Sequence, residues 1–170
     1  YRTIYNAENF SVQSWEKVIN QGNIKEELGG TIDINGKVEY NNGTSFKSAK
    51  DTYNILSLIA LVQHHNKDFF DTKWFDFEHY GNIGEARFLW SDSVNVFNVN
   101  DSILCDHYRM DINISDTTKK VKSSDYFMHN IVREDIVREI WVSRYAPRKI
   151  VKAQIKILGL SITAHLMSNK

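Results

Sequence analysis

Two segments decide the fold: Ala86-Arg87-Phe88-Leu89-Trp90 and Tyr108-Arg109-Met110-Asp111-Ile112-Asn113-Ile114. In the second, apolar and polar residues alternate strictly. In the first, Ala86, Phe88 and Trp90 alternate with Arg87 and Leu89. A period of two is the signature of a half-buried strand. Upstream, Phe75, Phe77 and His79 alternate with Asp76, Glu78 and Tyr80, and Val94, Val96 and Phe97 lie between. The breaks at 81–84, 91–93 and 98–102 are short and polar, so residues 69–114 read as an antiparallel meander with one wet face.

Towards the N-terminus, Val12, Trp15, Val18 and Ile19 recur at helical spacing, with Ser11 or Ser14 as a cap and Gly22 as a stop, which predicts a helix over 11–21. Residues 31–40 read as a hairpin around Asn35-Gly36. A two-residue loop would set Ile34 beside Lys37. A longer one sets Ile34 beside Val38 and Ile32 beside Tyr40 on one apolar face, and is favoured for that reason. After the turn Asn41-Asn42-Gly43, the apolar residues Phe46, Tyr53, Leu56, Ile59, Ala60, Leu61 and Val62 predict a central helix over 46–64.

Asn35 to Tyr40, followed by Gly43 to Ala49 and later by Trp74-Phe75, resembles a small module found beside some adenine-methylase restriction proteins. The resemblance implies a Gly-Lys strand leading into a helix start near residue 45. The module's Ser-Pro-Ser and Gly-Trp are missing here, and no function is carried across.

Towards the C-terminus, residues 115–124 read as a polar loop. Met128, Val132, Ile136 and Ile140 then predict a helix over 124–145, capped by Ser124, with Asp125 in its first turn and a Glu134–Arg138 pair on its surface. The last segment, 149–166, fits either a helix or a strand. The strand keeps every polar residue on one face if a bulge sits near Leu158-Gly159, and its β-branched content agrees.

The fold class expected from this pattern is α+β: a curved antiparallel sheet of about five or six strands packed with about three helices. Residues 1–170 read as a single globular domain, long enough to bury roughly two-thirds of its unfolded surface without a disulfide or metal. Cys105 is the one cysteine, so no internal disulfide forms, and a cytoplasmic location, or one within a virion or assembly, is expected. The chain opens on Tyr1, as a processed product does. No stretch has the length of a membrane span. The sequons at Asn9, Asn42 and Asn113 are read as chance triplets in an Asn-rich chain.

Charge is balanced in total and uneven in place. Residues 64–116 hold ten acids against four Lys or Arg, whereas 140–170 hold six Lys or Arg and no acid. Arg144, Arg148, Lys149, Lys152 and Lys156 are therefore the candidate surface for a protein partner or, as an alternative, for nucleic acid. A pI near 7.2 argues against a committed nucleic-acid binder. Lysines that keep a sheet edge soluble are the bland account.

For metal chemistry the densest ligand types are His64, His65, Asp68 and His79, with Asp71, Asp76 and Glu78 nearby. They match no established spacing. A nuclease-like set could be drafted from Lys37, Glu39, Asp76, Glu78 and Glu85, and a nucleophile pair from Cys105 and His107. Nothing in their spacing selects them, and the sequence names no cofactor. The reading is a non-enzymatic structural or protein-interaction domain, such as a subunit of a phage, virion or secretion-type assembly. Protein binding or self-association is expected. The alternatives are a metal-dependent hydrolase or nuclease built on 64–79 and a nucleic-acid-associated module built on 144–156.

Overall fold

The computed structural model describes residues 1–21, 23–98, 101–118 and 125–166. They form two antiparallel sheets and three short helices, where one curved sheet was expected. The N-terminal sheet is a meander of β1 (Arg2–Tyr5), β2 (Val12–Gln21), β3 (Ile24–Ile32), β4 (Lys37–Tyr40) and β5 (Ser45–Lys47). Helices α1 (Ile55–His64) and α2 (Lys67–Phe70) follow. The second sheet, also a meander, holds β6 (Phe75–His79), β7 (Asn82–Asn98), β8 (Asp101–Asp116), β9 (Val137–Ser143), β10 (Ile150–Ile157) and β11 (Leu160–His165), with α3 (Tyr126–Ile131) between β8 and β9.

The expected meander over 69–114 is present. Ser91–Ser93 does not break it: β7 continues through a bulge between Trp90 and Asp92 and pairs with β8 over nearly its whole length. Such a long two-stranded ladder curls, and its inner face supplies Ala86, Phe88, Tyr108, Met110 and Ile112 to the main core beneath α1.

The helix predicted over 11–21 is a strand, and the one predicted over 124–145 is helical only at α3 and becomes strand at β9, for one physical reason. Residues 12–21 pair with β3 from Ser14–Thr31 to Gln21–Ile24. The inward face of β2 carries Lys17, 3% exposed, whose Nζ lies 3.2 Å from Glu26 and 3.9 Å from Asp125. Residues 137–143 form β9, whose inward face carries Arg138, also 3% exposed, beside Ile140 and Val142. A cation on an apolar face breaks the period of two, and the remaining apolar residues then mimic a helix. The predicted Glu134–Arg138 pair does not form; Glu134 accepts from the Ile114 amide at 2.6 Å. Ser124 and Gly22 lie outside the described residues, and α3 is capped by Asp125, which accepts from Met128 N at 3.0 Å.

Residues 45–47 form β5, so the helix start implied by the resemblance is absent. Helix α1 begins at Ile55 because Asn54 accepts from Leu56 N and Ser57 N while Ser57 Oγ accepts from Asn54 N, a reciprocal cap. In the 31–40 hairpin Ile32 faces Val38 and Gly30 faces Tyr40, two residues away from the expected register but with the same apolar face. Asp33 Oδ1 accepts from Asn35 N and Lys37 N, and Gly36 takes φ +81° where a Cβ would strike Ala49 O at 2.5 Å. The C-terminal segment is strand, as favoured, but it is a hairpin: Leu158 (φ 49°) and Gly159 (φ 82°) make a two-residue turn between β10 and β11.

The two sheets meet at Glu78. Its carboxyl accepts from Tyr40 Oη of β4 and from Gly81 N at 2.7 Å, all out of reach of water. Burial raises the Glu78 pKa to about 7 against the lowering effect of these two bonds. Next to it His79 is buried with neither ring nitrogen hydrogen-bonded to a described residue. Burial, then Lys17 and His129, push its pKa down to about 3.

These shifts oppose one another. Glu78 binds its proton more tightly when folded, so its contribution is full below its ordinary value near 4.5 and is lost as pH rises through about 7. His79 resists protonation when folded, so its contribution is full above about 6.5 and is lost as pH falls towards 3. Relative to wild type, His79→Phe should therefore gain stability between pH 7 and 5, and Glu78→Gln should lose it, each by up to about 1.4 kcal/mol per pH unit. Urea unfolding at pH 5, 6 and 7 measures both; slopes parallel to wild type in both variants contradict the assignment.

Candidate binding cleft

An apolar cleft of about 270 Å³ lies between the inner face of the second sheet and helices α1 and α3. Helix α1 supplies Ile55, Leu56 and Ile59; α3 supplies Met128 and Ile131; the sheet supplies Met110, Ile140, Ala153, Ile155, Ile162 and Ala164, with Arg138, Glu139 and Gln154 also on the lining. The space exists because of two small residues. Ala153 stands in register between Ile140 and Ala164, so adjacent positions on β10 and β11 offer only methyl groups to the helices above. Close packing would otherwise fill such a gap.

The roof is held at both ends. At its start Asp125 caps α3 and approaches Lys17 of the N-terminal sheet. Beyond its end Arg138 rises from β9 and donates to the carbonyls of Ile131, Arg133 and Ile136, the last at 2.9 Å. Burial lowers the Arg138 pKa to about 10, so the group stays charged at neutral pH, and its donors meet the carbonyls that a helix end leaves unpaired. Met128 packs against the cores of both sheets.

The basic segment has partners inside the fold. Arg148 Nη1 lies 3.2 Å and Arg144 Nε 3.8 Å from the buried carboxylate of Asp106. Lys152 sits 4.0 Å over the Trp141 ring, and Lys156 pairs with Glu139 at 2.7 Å. Lys149 bonds through its backbone to Ser143 Oγ. Lys152 and Lys156 do share one face, but on β10, one strand inside the sheet. The true edge, β11, carries no lysine, so edge protection is not their role.

The histidine and carboxylate cluster does not converge. His64 packs on Phe10, and His65 stacks on Phe69 at 3.8 Å, at the ends of α1 and α2. Asp68 lies on α2, and His79 is buried beside Tyr80 at the sheet junction. Among the described residues no group of three or more His, Cys, Asp or Glu is placed to hold a metal ion. Glu39 is paired with Lys37 on the outer face of the N-terminal sheet, opposite to the buried Glu78. Cys105 is buried, its thiol pushed up to about 11 by burial and then by Asp106, while the His107 ring stacks on Trp141 at 4.3 Å. Neither arrangement activates a nucleophile.

The cleft escaped sequence reading because it needs the pairing of Ala153 with Ala164, positions brought into register only by the β10–β11 hairpin. A groove of about 450 Å³ also crosses the outer face of the N-terminal sheet above Gly29. It is lined by Arg2, Glu16, Glu27 and Glu39 together with the buried Trp15 and Tyr40. No family model, curated protein or solved structure matches this chain.

Replacing Arg138 by Met should orphan the carbonyls beyond α3 and cost about 3 kcal/mol. The double replacement Lys152→Ala with Lys156→Ala, which removes only surface contacts, should cost about 1 kcal/mol or less. Urea midpoints compare the two; equal losses would show that α3 is not held by Arg138.

Proposed function

We propose that the chain is one non-enzymatic binding domain that takes a single hydrocarbon chain, such as an acyl chain, into the cleft between α1, α3 and β8–β11. The observation that carries this is the cleft's shape and lining together. It is concave and walled mainly by aliphatic and methionine side chains. A hydrocarbon guest there gains about 25 cal/mol for each Å² of apolar surface removed from water and asks for no polar partner. A protein partner needs roughly 800 Å² of surface on each side, far more than a slot of this size presents. Its volume sits just below the range of about 300–1,000 Å³ usual for small-molecule sites, which suits a narrow chain better than a ring system.

The non-enzymatic reading rests on the separation of the candidate catalytic groups described above. A cytoplasmic or assembly-internal location rests on the free thiol of Cys105 alone. No helix among the described residues is long and apolar enough to cross a membrane. Because the five basic residues of 144–156 have partners within the chain or bond through their backbone, the nucleic-acid reading is the weaker one.

Titration with 11-(dansylamino)undecanoic acid tests the proposal. Saturable, one-to-one enhancement of emission is expected. Ala153→Phe, which fills the cleft, should weaken it at least tenfold, while Val18→Phe on the other sheet should leave it unchanged. Circular dichroism of both variants confirms the fold. Binding that is absent, or indifferent to Ala153→Phe, overturns the reading.

A further inference from the structure

Strand β11 is the outer strand of its sheet and pairs there with β10. The hairpin closes on the Ile157–Leu160 pair, so the hydrogen-bonded positions of β11 are Leu160, Ile162 and Ala164. The Leu166 amide, next in that series, bonds the Val151 carbonyl at 2.9 Å. The backbone N–H and C=O groups of Ser161 and Thr163 therefore point away from β10. Edges of this kind are ordinarily guarded by charge, proline or a bulge. Leu160–His165 has no Lys, Arg, acid or proline, and all six residues are exposed, with Leu160 at 74% and Ile162 at 51%.

We propose that this edge pairs with the same edge of a second copy, antiparallel about a two-fold axis through Ile162. The sequence of the strand points to itself as the partner. Read outward from Ile162, it is symmetric in polarity: Ser161 and Thr163 lie on the outer face, Leu160 and Ala164 on the cleft face. Two-fold pairing sets each Ile162 beside its copy, each Leu160 beside the second copy's Ala164, and each Ser161 beside Thr163. Apolar meets apolar on one face and hydroxyl meets hydroxyl on the other, with the large Leu160 against the small Ala164. Ser161 and Thr163 exchange paired N–H···O=C bonds across the seam. Such an interface is isologous and closes at two copies, joining two six-stranded sheets into one of twelve. Among the described residues the nearest lysines, Lys152 and Lys156, are one strand away and engaged by Trp141 and Glu139. The second copy's Leu160 would also extend the cleft floor beyond Ala164.

Sedimentation equilibrium of the full chain from about 1 to 200 μM, with variants, tests this. Ile162→Cys places two thiols across the axis at a non-hydrogen-bonded pair, where Cβ atoms stand roughly 4.5–5.5 Å apart, close to disulfide reach. Mild oxidation should give an interchain disulfide for Ile162→Cys and not for Val18→Cys, which is as exposed on the other sheet. Thr163→Pro removes an N–H that serves no bond within the chain, so circular dichroism should be unchanged while dimer dissociation weakens at least tenfold. A chain monomeric throughout this range with no preferential cross-linking at Ile162 overturns the proposal. So does a dimer that survives Thr163→Pro.

Discussion

The hydrogen bonds that Glu78 accepts from Tyr40 and from the Gly81 amide hold together parts of the chain that share no ladder. A carboxyl group removed from water is costly unless its oxygens find donors. Here the donors come from β4 on one side and from the β6–β7 turn on the other, so satisfying the carboxyl ties β4 to the start of the second sheet. Around this point Trp15, Tyr40 and Tyr80 pack as an aromatic cluster. Lys17, held inward on β2, then reaches Asp125 and fixes the start of α3. The roof of the cleft is thus positioned by the junction, although the cleft floor belongs to the second sheet alone.

The same inward polar groups explain what the sequence conceals. The alternation at 86–90 and 108–114 is legible because the inward residues Ala86, Phe88, Tyr108, Met110 and Ile112 are all apolar. At β2 and β9 the inward rows include Lys17, which reaches Glu26 and Asp125, and Arg138, which donates to the carbonyls of Ile131, Arg133 and Ile136. Local patterning has no access to those partners, so an apolar stripe at helical spacing wins by default. The Asn54 cap and the Leu158-Gly159 turn were within reach of local chemistry. The Ala153–Ala164 pair was not, since a small residue signals a cavity only once its neighbours across the sheet are known. The charge asymmetry read from the sequence is real as a count, but Asp106, Glu139 and Trp141 take up most of the positive groups within the fold.

Most groups able to do chemistry are used structurally in this molecule, and what remains open is apolar. Arg138 serves the end of α3, Arg148 and Arg144 serve Asp106, and Glu78 serves the junction. Two open features carry the readings above: the slot beneath α3, suited to a hydrocarbon chain, and the outer backbone of β11, suited to a strand.

The most direct measurement of the central claim is a crystal structure grown with a terminally brominated C12 fatty acid, with diffraction collected at the bromine edge. A single anomalous peak is expected within the cleft, bounded by Met128, Ala153 and Ala164, with the chain running under α3. A peak on the outer face of either sheet, or an empty cleft in crystals saturated with the compound, would contradict the claim.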